Sequence, residues 1–70
     1  MIATNLKAIR KMRGMTQADL ATASSIHRIT IARYETGAVE PNIKSAERLA
    51  KALGVTVDDL INGIPEDKGA

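Results

Sequence analysis

Residues 16–37 read Thr-Gln-Ala-Asp-Leu-Ala-Thr-Ala-Ser-Ser-Ile-His-Arg-Ile-Thr-Ile-Ala-Arg-Tyr-Glu-Thr-Gly, and no other stretch of the chain constrains its fold as tightly. Thr16 is a favourable N-cap. Asp19 stands three residues on, the spacing at which its carboxylate reaches back to the Thr16 N–H. This pair predicts a helix beginning at Gln17 that buries Leu20 and Ala21 and exposes Ala18, Asp19 and Thr22. Ser24 and Ser25 interrupt the pattern where a turn is needed. Ile26, a lone apolar residue, is placed to plug the space between two helices. A second helix is predicted from about Arg28 to about Thr36. At roughly 100° per residue, Ile31 and Glu35 share one face with Tyr34 beside them. Ile29, Ala32, Arg33 and Thr36 share the opposite face, with Arg28 and Thr30 at its edges. Gly37 lies just past the end, where a left-handed residue closes a helix.

The outward face of this second helix is small, polar and basic, and it carries an apolar Ile29. Arginine can donate two bonds to guanine N7 and O6, worth about 1–3 kcal/mol of discrimination, and the methyl groups of Ile29 and Thr30 suit thymine methyls. A merely solvated face has no reason to carry Ile29 and so few acids. The expectation is that Arg28, Ile29 and Arg33 read base edges in a DNA major groove, with His27 at the entrance. Gln17 lies at a helix N-terminus, where unpaired N–H groups and the dipole attract phosphate, so it is a candidate backbone contact.

These residues give the chain its resemblance. Asn-Leu-Lys-Ala-Ile-Arg-Lys-Met-Arg-Gly-Met-Thr-Gln-Ala-Asp-Leu-Ala from position 5, Ile-Ala-Arg-Tyr-Glu-Thr-Gly from 31 and Leu-Ala-Lys-Ala-Leu-Gly-Val-Thr-Val-Asp-Asp-Leu from 49 resemble Cro/repressor-type helix-turn-helix domains of the XRE family. The likeness runs from about Met1 to Gly63. It implies an all-α, five-helix, lambda-repressor-like fold and a role as a transcriptional regulator, of the phage or mobile-element repressor type, bound as a dimer to a palindromic operator. It implies base reading at His27, Arg28, Ile29 and Arg33, a phosphate and base-edge contact from Gln17, and phosphate contacts from Thr36 and from the loop after Gly37. Thr30 and Arg13 join the phosphate set as neighbouring candidates.

The same resemblance supplies a partner for Glu35. A lone carboxylate on the inner face of the second helix is costly, and Arg10 occupies the position that pairs with it in relatives. A partly buried Arg10–Glu35 ion pair, structural in role, is therefore expected. The sequence departs from the family pattern in three places. Ser25 stands where Gly is usual at a turn that often needs positive φ. His27 stands where Ser or Thr usually caps, and it is expected to cap poorly, with Ser25 helping or His27 turning to the DNA instead. Glu40 gives the loop after Gly37 the wrong sign for phosphate, which leaves that task to backbone N–H groups.

Outside this motif, Ile2, Leu6 and Ile9 predict a first helix from about Ile2 to about Met12, with Lys7, Lys11 and Arg13 outward and Gly14 ending it. Met15 is expected in the core. Asn42 is the predicted cap of a helix whose apolar stripe is Ile43, Ala46, Leu49, Ala50 and Leu53, closed by Gly54 with Val55 packing back. Thr56 with Asp59 repeats the capping pattern for a short helix from Val57 to about Asn62. Leu60, Ile61 and Ile64 are more apolar than so short a helix can bury. By resemblance, Val57, Leu60, Ile61 and Ile64 are expected at a dimer interface, which would hold two recognition helices about 34 Å apart. Residues 1–64 are read as one domain and 65–70 as a flexible tail.

Composition narrows the classes of function. Seventy residues make one small domain, and the absence of cysteine excludes a disulfide staple and a cysteine-ligated zinc site. The lone His27 has no His, Cys or clustered acid at metal-ligand spacing. No metal or cofactor is expected. Asp58 and Asp59 suit the positive end of a helix and have no nucleophile beside them, so no enzyme is read here. No leader or membrane span is visible; the lack of cysteine fits a reducing cytoplasm, and the resemblance implies a cytoplasmic, bacterial or phage-encoded protein. The net charge of +2 is uneven: six basic against two acidic side chains give +4 over residues 1–35, and four against six give −2 over 36–70. The basic half holds the helix-turn-helix and suits double-stranded DNA as partner. The alternative reading is an antitoxin or protein-interaction adaptor on the same fold, in which Ile29 and the Ile61–Ile64 region anchor another protein.

Overall fold

The computed structural model describes residues 2–64, which form five α-helices and, among these residues, no strand. The expected tail, 65–70, lies outside them. The helices are α1 (Ile2–Met12), α2 (Gln17–Ser24), α3 (Arg28–Thr36), α4 (Ile43–Leu53) and α5 (Val57–Asn62). Each of the last four starts on a side-chain cap. Thr16 Oγ1 accepts from the Asp19 N–H at 2.9 Å while the Asp19 carboxylate accepts from the Thr16 N–H at 2.9 Å. Thr56 and Asp59 repeat this at 3.1 and 3.0 Å, and Asn42 Oδ1 accepts from the Ser45 N–H at 2.8 Å. Each such cap contributes about 1 kcal/mol, which matters in a domain this small.

The helices pack α1 against α3 and α5, α2 against α3 and α4, and α4 against α5. Leu6, Ile9, Leu20, Ile31, Leu49 and Leu60 are the largest fully buried side chains, one or two from every helix. Ile26 joins this core from the α2–α3 turn, and Met15, Val55 and Ile64 pack against its edge, half-buried. Two polar side chains lock helix ends from a distance. Asn5 Nδ2 on α1 donates to the Leu60 and Ile61 carbonyls at 2.9 and 3.1 Å, closing α5. Arg13 Nε donates to the Leu53 carbonyl at 2.9 Å, closing α4. Both satisfy carbonyls that a helix C-terminus leaves without an internal partner.

Two sequence expectations are corrected. Ile43 is not on the buried stripe of α4 but is 76% exposed. It is the first residue of the helix, a turn outside Ala46 and about 70° from the mean direction of the buried stripe at ~100° per residue. Leu60 is 0% exposed, so it belongs to the core of this chain and is not available to a dimer interface. Among the expected interface residues, Ile61 is exposed and Val57 and Ile64 are half-buried.

The α2–α3 turn is set by Ser25, at φ 58°, ψ 33°, the one non-glycine residue with positive φ among those described. An L-residue there costs about 1–2 kcal/mol, of which a glycine returns all but its extra chain entropy of roughly 0.5–1 kcal/mol. Ser25→Gly is therefore expected to stabilise the domain by about 0.5–1 kcal/mol, raising Tm by a few degrees. Thermal denaturation of the two chains checks this; a lower Tm for the glycine variant would contradict it.

Candidate nucleic-acid interface

The orientation of α3 is set on its inner side. Ile31 and Tyr34 are buried against the core, and between them and α1 lies the expected ion pair. Arg10 Nε donates to Glu35 Oε2 at 2.6 Å and Arg10 Nη2 to Glu35 Oε1 at 3.1 Å, with the two side chains 9% and 3% exposed. Arg10 Nη1 donates to the Met15 carbonyl at 2.7 Å, so the guanidinium also holds the loop that leads into α2. Gln17 Nε2 donates to Glu35 Oε1 at 3.1 Å. One carboxylate thus gathers α1, the start of α2 and α3. Burial pushes the Glu35 carboxyl up, but hydrogen bonds from Arg10 and Gln17 and the charges of Arg10 and Lys7 outweigh it and hold it below the ordinary glutamate value.

With that side fixed, α3 turns its other side to solvent. His27, Arg28 and Arg33 are exposed, and Ile29 is 53% exposed; Thr30 is half-buried. Among the described residues, neither Arg28 nor Arg33 is engaged in a side-chain hydrogen bond or an ion pair. Two arginine forks and an apolar β-branched side chain therefore stand on one short helix, and no described residue pairs with either guanidinium. His27 caps α3: its Nδ1 accepts from the Ile29 N–H at 3.2 Å. The expectation that it caps poorly is wrong, and Ser25 plays no part in that cap. Ser24, the buried last residue of α2, uses its hydroxyl oxygen to accept from the Ile26 N–H at 3.3 Å.

Other expected contact residues are more constrained than their sequence positions suggest. The Gln17 amide nitrogen is turned to Glu35, and in the first turn of α2 the Asp19 N–H is taken by the Thr16 cap. Arg13 is held to the end of α4 through Nε. The Thr36 hydroxyl donates to the Arg33 carbonyl at 3.1 Å and accepts from the Ala38 N–H at 3.4 Å. In the loop after α3, Gly37 N–H donates to Tyr34 O, and Ala38 and Val39 N–H both donate to Arg33 O, at 3.3, 3.0 and 3.4 Å. The backbone donors expected to offset Glu40 are thus used in closing α3, because Gly37 at φ 82° folds the loop back over the last turn.

Sequence reasoning did not find the Gln17–Glu35 bond, the tie from Arg13 to α4, or Asn5. Asn5 carried a usable signal: asparagine is a poor residue for a helix interior unless its amide is engaged elsewhere. The described residues contain no group of three or more His, Cys, Asp or Glu side chains arranged to hold a metal ion. No helix among them is long and apolar enough to cross a membrane.

Residues 6–60 match the helix-turn-helix family model. Over 55 residues the chain is 38% identical to a helix-turn-helix-type transcriptional regulator of Methanocaldococcus jannaschii, covering 79% of this chain and 83% of that one. It is 34% identical over 68 residues to the helix-turn-helix-type transcriptional regulator YqaE of Bacillus subtilis, covering 97% of this chain but 59% of that protein. Among solved structures, the P22 c2 repressor in complex with a synthetic operator matches with a TM-score of 0.83 at 28% identity, over 91% of this chain and 97% of that chain.

The Arg10–Glu35–Gln17 cluster generates a prediction about stability. Removing one partner of a buried pair costs about 3–5 kcal/mol because the other is left uncompensated. Arg10→Met is expected to destabilise by that amount, and Arg10→Met with Glu35→Leu by much less. Because the folded carboxyl titrates below its unfolded value, its contribution is fully present above about pH 4.3 and is lost as pH falls through the lower folded value. Asp19, lowered by its hydrogen bonds to the Thr16 N–H and hydroxyl, acts in the same direction. Urea unfolding from pH 7 to pH 2 is expected to show a shallower acid loss for Glu35→Gln than for the parent chain; identical pH profiles would contradict this.

Proposed function

Because this chain belongs to the helix-turn-helix family, of the Cro/repressor type, we propose that it regulates transcription by binding a specific double-stranded DNA sequence with α3 in the major groove. The observation that carries this reading is the outer face of α3, where Arg28, Ile29 and Arg33 stand solvent-exposed and the two guanidinium groups have no partner among the described residues. On a helix braced from behind by a buried polar cluster, they present two bidentate donors and one apolar contact, the chemistry that distinguishes base pairs in the major groove.

The roles divide by chemistry. Arg28 and Arg33 donate to guanine O6 and N7. Ile29 packs on a thymine methyl, and His27 lies where the helix enters the groove. Backbone contacts come from the N-terminal end of α2 and from Thr30, with Arg13 and Thr36 nearer the edge. These contacts position the protein without reading sequence. The P22 c2 repressor is described with a synthetic operator, which favours repression over activation for this chain. Exposed Ile61 with half-buried Val57 and Ile64 supports a dimer formed through α5, and hence a palindromic operator with half-sites about 34 Å apart. The binding side needs no metal or cofactor, and the protein catalyses no reaction in this reading.

Substitution separates the two kinds of contact. On a duplex enriched from a random pool, Arg33→Ala and Arg28→Ala are each expected to weaken binding by about 5- to 150-fold and to relax selection at one base pair. Lys7→Ala, at an exposed cation that reads no base, is expected to lower affinity for all duplexes evenly and to flatten the dependence on salt. Fluorescence anisotropy titrations across a salt series check both. Unchanged affinity and selection in both arginine variants would contradict the proposal and turn attention to a protein partner.

A further inference from the structure

We propose that His27 offers the DNA one fixed hydrogen-bond donor, its Nε2–H, because its other ring nitrogen is occupied in capping α3. The inference rests on the DNA-binding reading above and deepens it.

His27 is the N-cap of α3, with extended backbone (φ −59°, ψ 140°), and its Nδ1 lies 3.2 Å from the Ile29 nitrogen. A backbone N–H can only donate, so Nδ1 must present a lone pair. A neutral imidazole with a lone pair on Nδ1 carries its proton on Nε2. The cap therefore selects the tautomer. The two ring nitrogens point in widely divergent directions, so the bond that holds Nδ1 against the helix end turns Nε2–H away from it. The side chain is exposed, and no described residue receives that proton.

Position decides what the donor meets. His27 directly precedes Arg28 and Ile29, in the N-terminal part of the helix, the part that approaches base edges in this docking mode. A serine or threonine cap ends at the oxygen that does the capping. The imidazole instead uses one atom for the helix and carries a second, several bonds further out, for a partner. Its rotamer is already restricted by the cap, so little further ordering is needed on binding. A pinned N–H recognises only acceptors: guanine O6 or N7, adenine N7, thymine O4 or a phosphate oxygen. It has nothing to offer the amino groups of cytosine or adenine. The common chemistry is a hydrogen-bond acceptor on DNA, and a base edge and the backbone are separable by experiment.

The test compares the parent chain with His27→Ser and His27→Ala, each taken through selection from a random duplex pool and titrated on the parent's best duplex. Serine keeps a capping oxygen but places nothing where Nε2 stood; alanine loses both. His27→Ser is expected to keep the parent's Tm and to bind about 3- to 10-fold more weakly, whereas His27→Ala also melts lower. Relaxed preference at one base pair assigns the acceptor to a base edge, and an even loss on all duplexes assigns it to a phosphate; both support the pinned donor. Long-range proton–nitrogen correlation spectra of the free protein are expected to show the imidazole proton on Nε2. Parent-like affinity and motif in His27→Ser, or a proton on Nδ1, would overturn the inference while leaving the DNA reading intact. A parent chain that enriches no duplex would overturn that reading, and this inference with it.

Discussion

The carboxylate of Glu35 is the point on which the geometry of this small domain turns. It is buried on the inner side of α3 and is met by the Arg10 guanidinium at 2.6 and 3.1 Å and by the Gln17 amide at 3.1 Å. Apolar packing alone is tolerant of small rotations, because side chains of similar volume refill a core. A forked guanidinium–carboxylate pair is directional. It lets α3 take one rotation about its axis relative to α1, and the Gln17 bond sets the start of α2 against the same atom. Such a pair adds little net stability against an apolar replacement. Its contribution here is orientation: the rotation that faces Glu35 to Arg10 also faces Arg28, Ile29 and Arg33 to solvent.

Local closures supply the rest of the precision. Four helix starts are capped by side chains, and the ends of α4 and α5 are closed from α1 and the turn after it by Arg13 and Asn5. With 11 buried apolar side chains among the described residues, many contacts of about 1 kcal/mol do what a larger core would do elsewhere. The turn between α2 and α3 shows where one position works against the rest. Ser25 takes a left-handed conformation that suits glycine, and the strain is carried because Ile26 must drop into the core directly after it.

The fold was almost fully legible in the sequence, because its signals are local. Caps at Thr16, Asn42 and Thr56, glycines after α1, α3 and α4, and helical apolar spacing each declare a boundary within a few residues. The expectation that Ile43 is buried failed because periodicity says which way a residue faces but not whether another element reaches that far along the helix. Leu60 failed as an interface residue for a related reason: an apolar excess in one short helix does not say which member the core takes. The Arg10–Glu35 pair was anticipated through resemblance, whereas the Gln17–Glu35, Arg13–Leu53 and Asn5–Leu60 bonds were not. They join residues 18 to 55 positions apart, and nothing in a linear pattern marks such partners. His27 was misjudged as a cap because the usual ranking favours short oxygens, and an imidazole nitrogen can perform the same service.

The central claim is that the outer face of α3 is the surface that meets DNA. Its most direct test is to add a duplex enriched from a random pool to isotopically labelled protein and to map the backbone amide and arginine side-chain resonances that shift. The largest changes are expected on His27, Arg28, Ile29 and Arg33, with smaller ones at the start of α2. Changes confined to α4 and α5, or a face of α3 that stays silent while DNA binds, would contradict it.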